Sequence, residues 1–282
     1  MVAVDRWDAL GSWCEVLTLD AADLPDVAEL ARTRVAAVDA ACSRFRADSE
    51  LSGLVGGRPQ TVSPVLGQAL AAALRAAEFS AGLVDPTVGS RGPRRAGTDW
   101  RSVRFDPDSR RLLLPEETEL DLGAIGKAWA ADWIAQACTE ELGVGVLVNL
   151  GGDIAVRGPV PPGGWQVEID DEDVAPPGRP VIAVGWPGGL ATSASDLGSA
   201  GAGAELGQGA SARPVLDPTT GMPADPAWRR VTVAARSCER ANAASLAAII
   251  LGDSAPRWLT QRELPARLVH RDGMVVQTNG WP

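Results

Sequence analysis

The chain has no tyrosine and a single histidine, His270, among its 282 residues. A Ser-His-Asp triad could therefore draw only on His270, which stands in a valine-rich stretch beside Asp272 and Gly273. Those neighbours favour a strand or turn position for it. Cysteine is scarce too: Cys14, Cys42, Cys138 and Cys238 are far apart, with no C-x-x-C and no adjacent histidine. That argues against a zinc site or redox pair and for burial as small apolar groups. No run approaches the roughly 20 consecutive apolar residues of a membrane span, and the opening Met1-Val-Ala-Val-Asp-Arg lacks the basic and apolar regions of a signal peptide. The expected location is cytoplasmic. Positive charge is outweighed, 26 Lys and Arg against 36 Asp and Glu, which excludes a broad surface for nucleic acid. An anionic ligand must be met locally. Neither G-x-G-x-x-G nor G-x-x-x-x-G-K-[ST] occurs, so neither a Rossmann nor a P-loop nucleotide site is supported.

The hydrophobic share of 45% and charged share of 22% are those of an ordinary globular protein. We read residues 1–282 as one domain. Helical periodicity begins after Asp23 (Leu24, Val27, Leu30, Val35, Val38) and after the Ser63-Pro64 start signal (Val65, Leu66, Leu70, Leu74, Ala77). It returns at Ile125, Trp129, Trp133 and Ala137, stopping at Gly143, and from about Arg240 to Leu251, stopping at Gly252. Strand-like runs lie between, from Val103 to Phe105 through to Met274–Thr278. Turn signals at Asp106-Pro107-Asp108, Gly151-Gly152 and Asp272-Gly273 separate neighbouring runs. The predicted class is α+β with a mixed, largely antiparallel sheet. The stretch GSAGAGAELGQGA, about 198–210, has little to bury and reads as a flexible loop. Of the tryptophans, Trp13, Trp129 and Trp133 are candidates to stack on a planar ligand, with core packing the commoner use of such rings.

Five acidic motifs interrupt this pattern: Asp85-Pro86-Thr87-Val88-Gly89, Asp121-Leu122-Gly123-Ala124-Ile125-Gly126-Lys127, Gly151-Gly152-Asp153, Thr192-Ser193-Ala194-Ser195-Asp196 and Asp217-Pro218-Thr219-Thr220-Gly221. Each couples oxygen donors to small residues, which suits close approach of the backbone to a ligand and a hard cation such as Mg²⁺. In the second, Asp121 is expected to open a helix whose free N–H groups and Lys127 converge on a phosphate. The plain alternative is an N-cap and a solvated lysine.

The order and spacing of these motifs resemble the FAD:protein FMN transferase (ApbE) family. DLGAIGKAWAADWIAQA followed by LVNLGGDIAVRG is similar to that family's D-L-G-x-I-A-K-G-x-A-x-D and V-N-L-G-G-D. Leu10-Gly11-Ser12, Phe45-Arg46-Ala47-Asp48, Leu83 to Gly89, Ala191-Thr192-Ser193 and Leu216 to Pro223 extend the likeness over nearly the whole chain. The resemblance implies a T-fold-like α+β protein that binds FAD and, with Mg²⁺, transfers FMN to a threonine of an acceptor protein. It implies FAD contacts at Leu10, Phe45, Leu83, Val84, Asp85, Asp121 and Lys127, metal ligands at Ala124, Asn242 and Ser245, and catalytic side chains at Asp196, Arg213 and Asp217.

The chain departs from the family pattern in its second half. Pro214, preceded by Arg213, stands where the family has a histidine. In Ala241-Asn242-Ala243-Ala244-Ser245-Leu246, an amide replaces the aspartate and Leu246 the threonine of A-D-A-x-x-T. Asp196 falls one place late in the T-S-G-D signature. Mg²⁺ leans on carboxylates, so weakened metal binding is expected. Two alternatives follow: a catalytically silent FAD-binding relative, and a protein repurposed for interaction.

Overall fold

The structure, a computed structural model, describes residues 2–88, 99–169, 178–195, 215–222 and 224–282. The chain opens with a hairpin, β1 (Ala3–Ala9) and β2 (Ser12–Thr18), followed by α1 (Leu24–Cys42), the short β3 (Pro59–Thr61) and α2 (Pro64–Phe79). Two more short strands, β4 (Arg104–Asp106) and β5 (Arg111–Leu113), precede α3 (Gly126–Leu142) and the hairpin β6 (Val146–Leu150) and β7 (Asp153–Arg157). Then come β8 (Trp165–Glu168), β9 (Val181–Val184), β10 (Gly188–Ala194), β11 (Trp228–Ala235), α4 (Cys238–Leu251), α5 (Ala255–Gln261), β12 (Ala266–His270) and β13 (Val275–Thr278). The main sheet has eight strands in the order β1-β2-β6-β7-β10-β11-β12-β13, beside a three-stranded sheet β3-β5-β4 and the pair β8-β9. The α+β expectation holds, and every strand pairing among the described residues is antiparallel.

The alternation of side chains along β6 shows why the sheet sits where it does. Val146, Val148 and Leu150 face the cluster built by α1, α2 and α3, while Leu147 faces a second cluster with Trp165, Val167, Ile182 and Val184 of β8 and β9. A strand covered on both faces reads as a nearly continuous apolar run. A third cluster packs α4 and α5 on β11 and β12 through Val231, Val233, Ala248, Leu259 and Leu268. Within α4, alanine at 241, 243, 244, 247 and 248 lets the helix lie close on β10 and β11.

The helix signals are met locally. Ser63 caps α2, its side chain accepting from Leu66 N, with Pro64 in the first turn. Ser63→Ala is expected to cost about 1 kcal/mol, read as a shift in the denaturant midpoint at unchanged slope. Gly143 ends α3 in the left-handed conformation at φ +73°. The link between β6 and β7 is Gly151-Gly152 at φ +65° and +94°, a two-residue turn with both positions in the region glycine enters freely.

Three expectations need correction or delimitation. Asp121 does not open α3, which starts at Gly126 with Ile125 as its cap; a turn from Leu122 to Gly126 separates them, closed by Gly126 N donating to Leu122 O at 2.7 Å. β1, β2, β3, β10 and α5 carry no periodic apolar pattern strong enough to announce them. The glycine-rich loop at 198–210, with Gly89, Asp196, Arg213 and Pro214, lies outside the described residues.

His270 ends β12, its Nδ1 2.8 Å from Asp272 Oδ1 and its ring edge-on to Trp228, within the strand or turn position read from sequence. The cysteines are unpaired, and burial pushes the Cys14 and Cys138 thiols up to about 11 and Cys42 to about 12. They remain protonated and inert at neutral pH. No helix among the described residues is long and apolar enough to cross a membrane.

Candidate active site

Two groups of side chains form where the motifs come together. The first is a wall made by the segments after α1, after α2 and before α3. Arg44 pairs with Asp121 Oδ2, and its guanidinium lies 4.7 Å from the centre of the Phe45 ring. Phe45 is 72% exposed, a large aromatic face held open to solvent by that stack. Asp121 Oδ1 accepts from Gly123 N at 2.8 Å, and Asp121 N donates to Pro86 O at 2.8 Å. This last bond joins the Asp85-Pro86 motif to the Asp121 motif. Asp85 Oδ1 accepts from Thr87 N and Thr87 Oγ1, and its Oδ2 from Trp100 N at 3.3 Å. Val84 is buried and Leu83 half-buried behind it, with Val84 N donating to Ser80 Oγ. Phe45, Leu83, Val84, Asp85 and Asp121, distant in sequence, thus occupy one wall. Arg44 was not a sequence candidate; its only signal is its place beside Phe45.

The second group lies deeper, between the sheet and α3 and α4. Asp153 shares the helix-facing side of β7 with Ala155, whose place in the α3 cluster fixes that side. Lys127, in the first turn of α3, reaches towards the β6–β7 turn: a β-carbon at Gly151 would lie 2.9 Å from Lys127 Nζ and 2.3 Å from Ser12 Oγ. Burial pushes the Asp153 carboxyl above the usual carboxylate range, while the Lys127 charge and the Asn242 amide pull it back. Asn242 Nδ2 donates to Asp153 Oδ1 at 3.0 Å. Ser245 Oγ donates to Asn242 O at 3.0 Å and meets Ser193 Oγ at 2.7 Å. Asn242 and Ser245, one turn apart on α4, therefore face the same point as Asp153 and Ser193.

The group is braced from below. Asp132 of α3 accepts from Glu239 N at the start of α4 and pairs with Arg157 of β7 at 3.0 Å. This ties the two helices and the strand that carry Lys127, Asn242 and Asp153. Gly189 of β10 has no room for a side chain, since a β-carbon there would lie 2.3 Å from Cys238 N, so β10 and α4 meet backbone to backbone.

Not every candidate joins these groups. Asp217 spends its side chain on its own loop, accepting from Thr219 N and Thr219 Oγ1 at 2.8 and 2.7 Å, while its backbone bonds to Met222 and Gly221. Leu10 sits in the β1–β2 turn at φ +54°, with its side chain packed on the core; a leucine in that region is strained by about 1 to 3 kcal/mol. The turn brings Ser12 to Gly151 and Leu10 to the core beneath it. Trp129 and Trp133 stack on each other at 5.4 Å with Trp129 buried, which is core packing. Trp13 remains 47% exposed on β2. Leu246 packs on the helical cluster.

Whether the α4 residues suit a hard cation turns on one atom. Asn242 Oδ1 is buried with no hydrogen-bond partner, a costly state for an amide oxygen unless something else satisfies it. With the Asp153 carboxylate and the Ser193 and Ser245 hydroxyls it forms an all-oxygen set, the donor type that Mg²⁺ selects. Ala124, exposed in the turn before α3, adds only a backbone carbonyl. Among the described residues no three His, Cys, Asp or Glu side chains gather as a metal site, so a cation here would lean on neutral oxygens and one carboxylate.

The model of the family described as the ApbE family matches residues 10–92 and 91–268. Among solved structures, the fold is shared with the flavin transferase ApbE from Vibrio cholerae at 20% identity and a TM-score of 0.76, covering 100% of this chain and 98% of that one. It is shared with the apo flavinyl transferase ApbE of Pseudomonas stutzeri at 22% identity and a TM-score of 0.79, covering 99% of this chain and 95% of that one. The ApbE protein of Thermotoga maritima matches at 21% identity and a TM-score of 0.79, covering 99% and 97%. No curated protein matches the chain by sequence.

Proposed function

Since the chain belongs to the ApbE family, we propose that it takes FAD as donor and transfers the FMN half to a threonine hydroxyl of an acceptor protein, releasing AMP. The threonine oxygen forms a bond to the FMN phosphorus as the bond from that phosphorus to the AMP oxygen breaks, and the hydroxyl proton passes to a base. The observation that carries the reading is the placement of the half-buried Lys127 against a glycine turn, Gly151-Gly152, whose backbone admits close approach. An ammonium beside bare backbone offsets the charge that develops on phosphate oxygens. The wall of Phe45, Leu83, Val84, Asp85 and Asp121, with Leu10 beneath the first turn, holds the rest of the dinucleotide. Arg44 keeps Asp121 and the Phe45 ring in place.

Mg²⁺ would be held by Asn242, Ser245 and the Ala124 carbonyl and would neutralise pyrophosphate charge. Asp196 and Arg213 act at the transfer step, with Arg213 standing in for the family's histidine, while Asp217 shapes its own loop through Thr219. The chain works as one unit over residues 1–282, and its unpaired cysteines suit a reducing cytoplasm.

Incubation with FAD, Mg²⁺ and a threonine-containing acceptor peptide is expected to add the mass of an FMN phosphoryl group to the peptide, and chelation to abolish the addition. A second reading, a silent FAD-binding relative, is favoured by Asn242 spending its amide on Asp153 and by Leu246 packing into the core. FAD binding without peptide modification, insensitive to chelation, selects it. Asn242→Asp with Leu246→Thr is expected to tighten Mg²⁺ binding, because a second carboxylate beside Asp153 needs a cation to offset it. Unchanged metal titration in that variant removes the metal from α4.

A further inference from the structure

At the other end of β10 from Ser193, the strand starts beside the finish of β11, and Leu264-Pro265 leads into β12. These ends and the end of α5 line an open cleft of about 540 Å³, with Arg236, Arg240, Arg262, Glu263 and Trp186 on its walls. In a chain of net charge -10, three arginines lining one cleft are a local excess of positive charge. Two of them are pre-positioned on aromatic faces. Arg240 Cζ lies 4.2 Å from the centre of Phe79 and Arg262 Cζ 4.0 Å from that of Trp258, and the two rings meet edge to face at 5.6 Å. Such stacking fixes a guanidinium's plane while leaving its N–H fork free.

Among the described residues none of the three arginines has a carboxylate partner, although other arginines nearby do: Arg75 pairs with Glu239 and Arg157 with Asp132. Burial and the neighbouring Arg240 charge hold the Arg262 guanidinium below the usual arginine range. Like charges are thus kept together without an ion-paired carboxylate, an arrangement that an anion relieves. Three guanidiniums against the one carboxylate of Glu263 leave two positive charges, matching a phosphate monoester of about -1.5 to -2 at neutral pH. Planar forks bind such an oxyanion bidentately, and the half-buried Trp186 offers apolar surface to whatever the phosphate is attached to.

We propose that this cleft, formed by Trp186, Arg236, Arg240, Arg262 and Glu263, is a second ligand site that takes a small phosphorylated dianion, separate from the site that faces Lys127. The probes are inorganic phosphate and glycerol phosphate, titrated calorimetrically at constant ionic strength, with glycerol as the neutral control and tryptophan emission as a second readout. One saturable site is expected for both anions, tighter for the ester, and none for glycerol. Arg240→Gln with Arg262→Gln is expected to weaken binding about tenfold or more, with FAD affinity unchanged. Glu263→Gln is expected to bind both anions several-fold more tightly, a gain that damage to the fold would not produce. Absence of saturation by either anion in the millimolar range, equal binding by the double variant, or no gain in Glu263→Gln overturns the proposal.

Discussion

Gly151→Ala is expected to abolish measurable FAD binding and to lower stability by about 2 to 4 kcal/mol, the loss of binding being the more complete effect. The backbone at Gly151 holds φ +65°, where alanine is disfavoured by about 1 to 2 kcal/mol. The added methyl would also lie 2.3 Å from Ser12 Oγ, 2.9 Å from Ser12 Cβ and 2.9 Å from Lys127 Nζ. The hydroxyl can rotate and the lysine can swing away, but Ser12 Cβ is fixed by β2, which pairs with β6 from Cys14 to Thr18. The turn must therefore shift, and the lysine leaves the place that meets phosphate. Gly152→Ala separates the two causes: it shares a positive φ of +94° but would meet nothing within 4 Å, so it carries backbone strain alone. FAD fluorescence quenching and thermal unfolding on both variants check this. Equal FAD affinity in Gly151→Ala and the native protein would move the phosphates away from the turn.

Lys127→Met is expected to weaken FAD binding by about 1 to 3 kcal/mol, the range for a charge-assisted hydrogen bond, while keeping the apolar stem packed. It also carries a pH signature. Burial already raises the Asp153 carboxyl, and Lys127 is the first of the influences that oppose the rise. Removing the charge raises it further. A carboxyl raised on folding contributes stability that is complete below its unfolded value of about 3.9 and is lost as pH climbs through the folded value. The stability deficit of Lys127→Met relative to the native protein is thus expected to be small in acid and to grow towards neutral pH. Urea unfolding at several pH values reads it. A deficit that is constant with pH, or larger in acid, would mean that Lys127 does not act on Asp153.

How far the sequence foretold these sites depended on how local each signal was. The Ser63-Pro64 start, the Gly143 and Gly252 stops and the Gly151-Gly152 turn each depend on a few adjacent residues, and each is where the pattern placed it. The ordered motifs also placed Phe45, Asp85, Asp121 and Lys127 as members of one family pattern. The helix start was misplaced because Asp121 does resemble an N-cap. Its side chain caps Gly123 N and pairs with Arg44 instead, a choice made by a partner 77 residues away.

Arg44 was not singled out, and Asp153, Ser12 and Ser193 stood in motifs without a role of their own, for the same reason. Nothing in their immediate neighbours distinguishes an arginine in solvent from one stacked on Phe45, or a turn aspartate from one sealed under two helices. β1, at the sheet edge, alternates half-buried and exposed residues, and β2 beside it buries only Cys14, Val16 and Thr18, so the apolar pattern of the pair is too short to read alone. The cleft of Arg236, Arg240 and Arg262 is the extreme case, since it exists only because the end of β11, the start of α4 and the end of α5 come together.

Taken by itself, the sequence determined the α+β class, the helices with their caps, the hairpin turns and the family, because propensity, capping and periodicity act over a few residues and motif order is linear. Tertiary structure alone decided which of the acidic motifs share a wall, that Asp153 is buried against Asn242 beside Lys127, and that Asp217 bonds within its own loop. Burial and through-space charge depend on residues brought together by strand order and helix packing, and those distances are not encoded in any one segment.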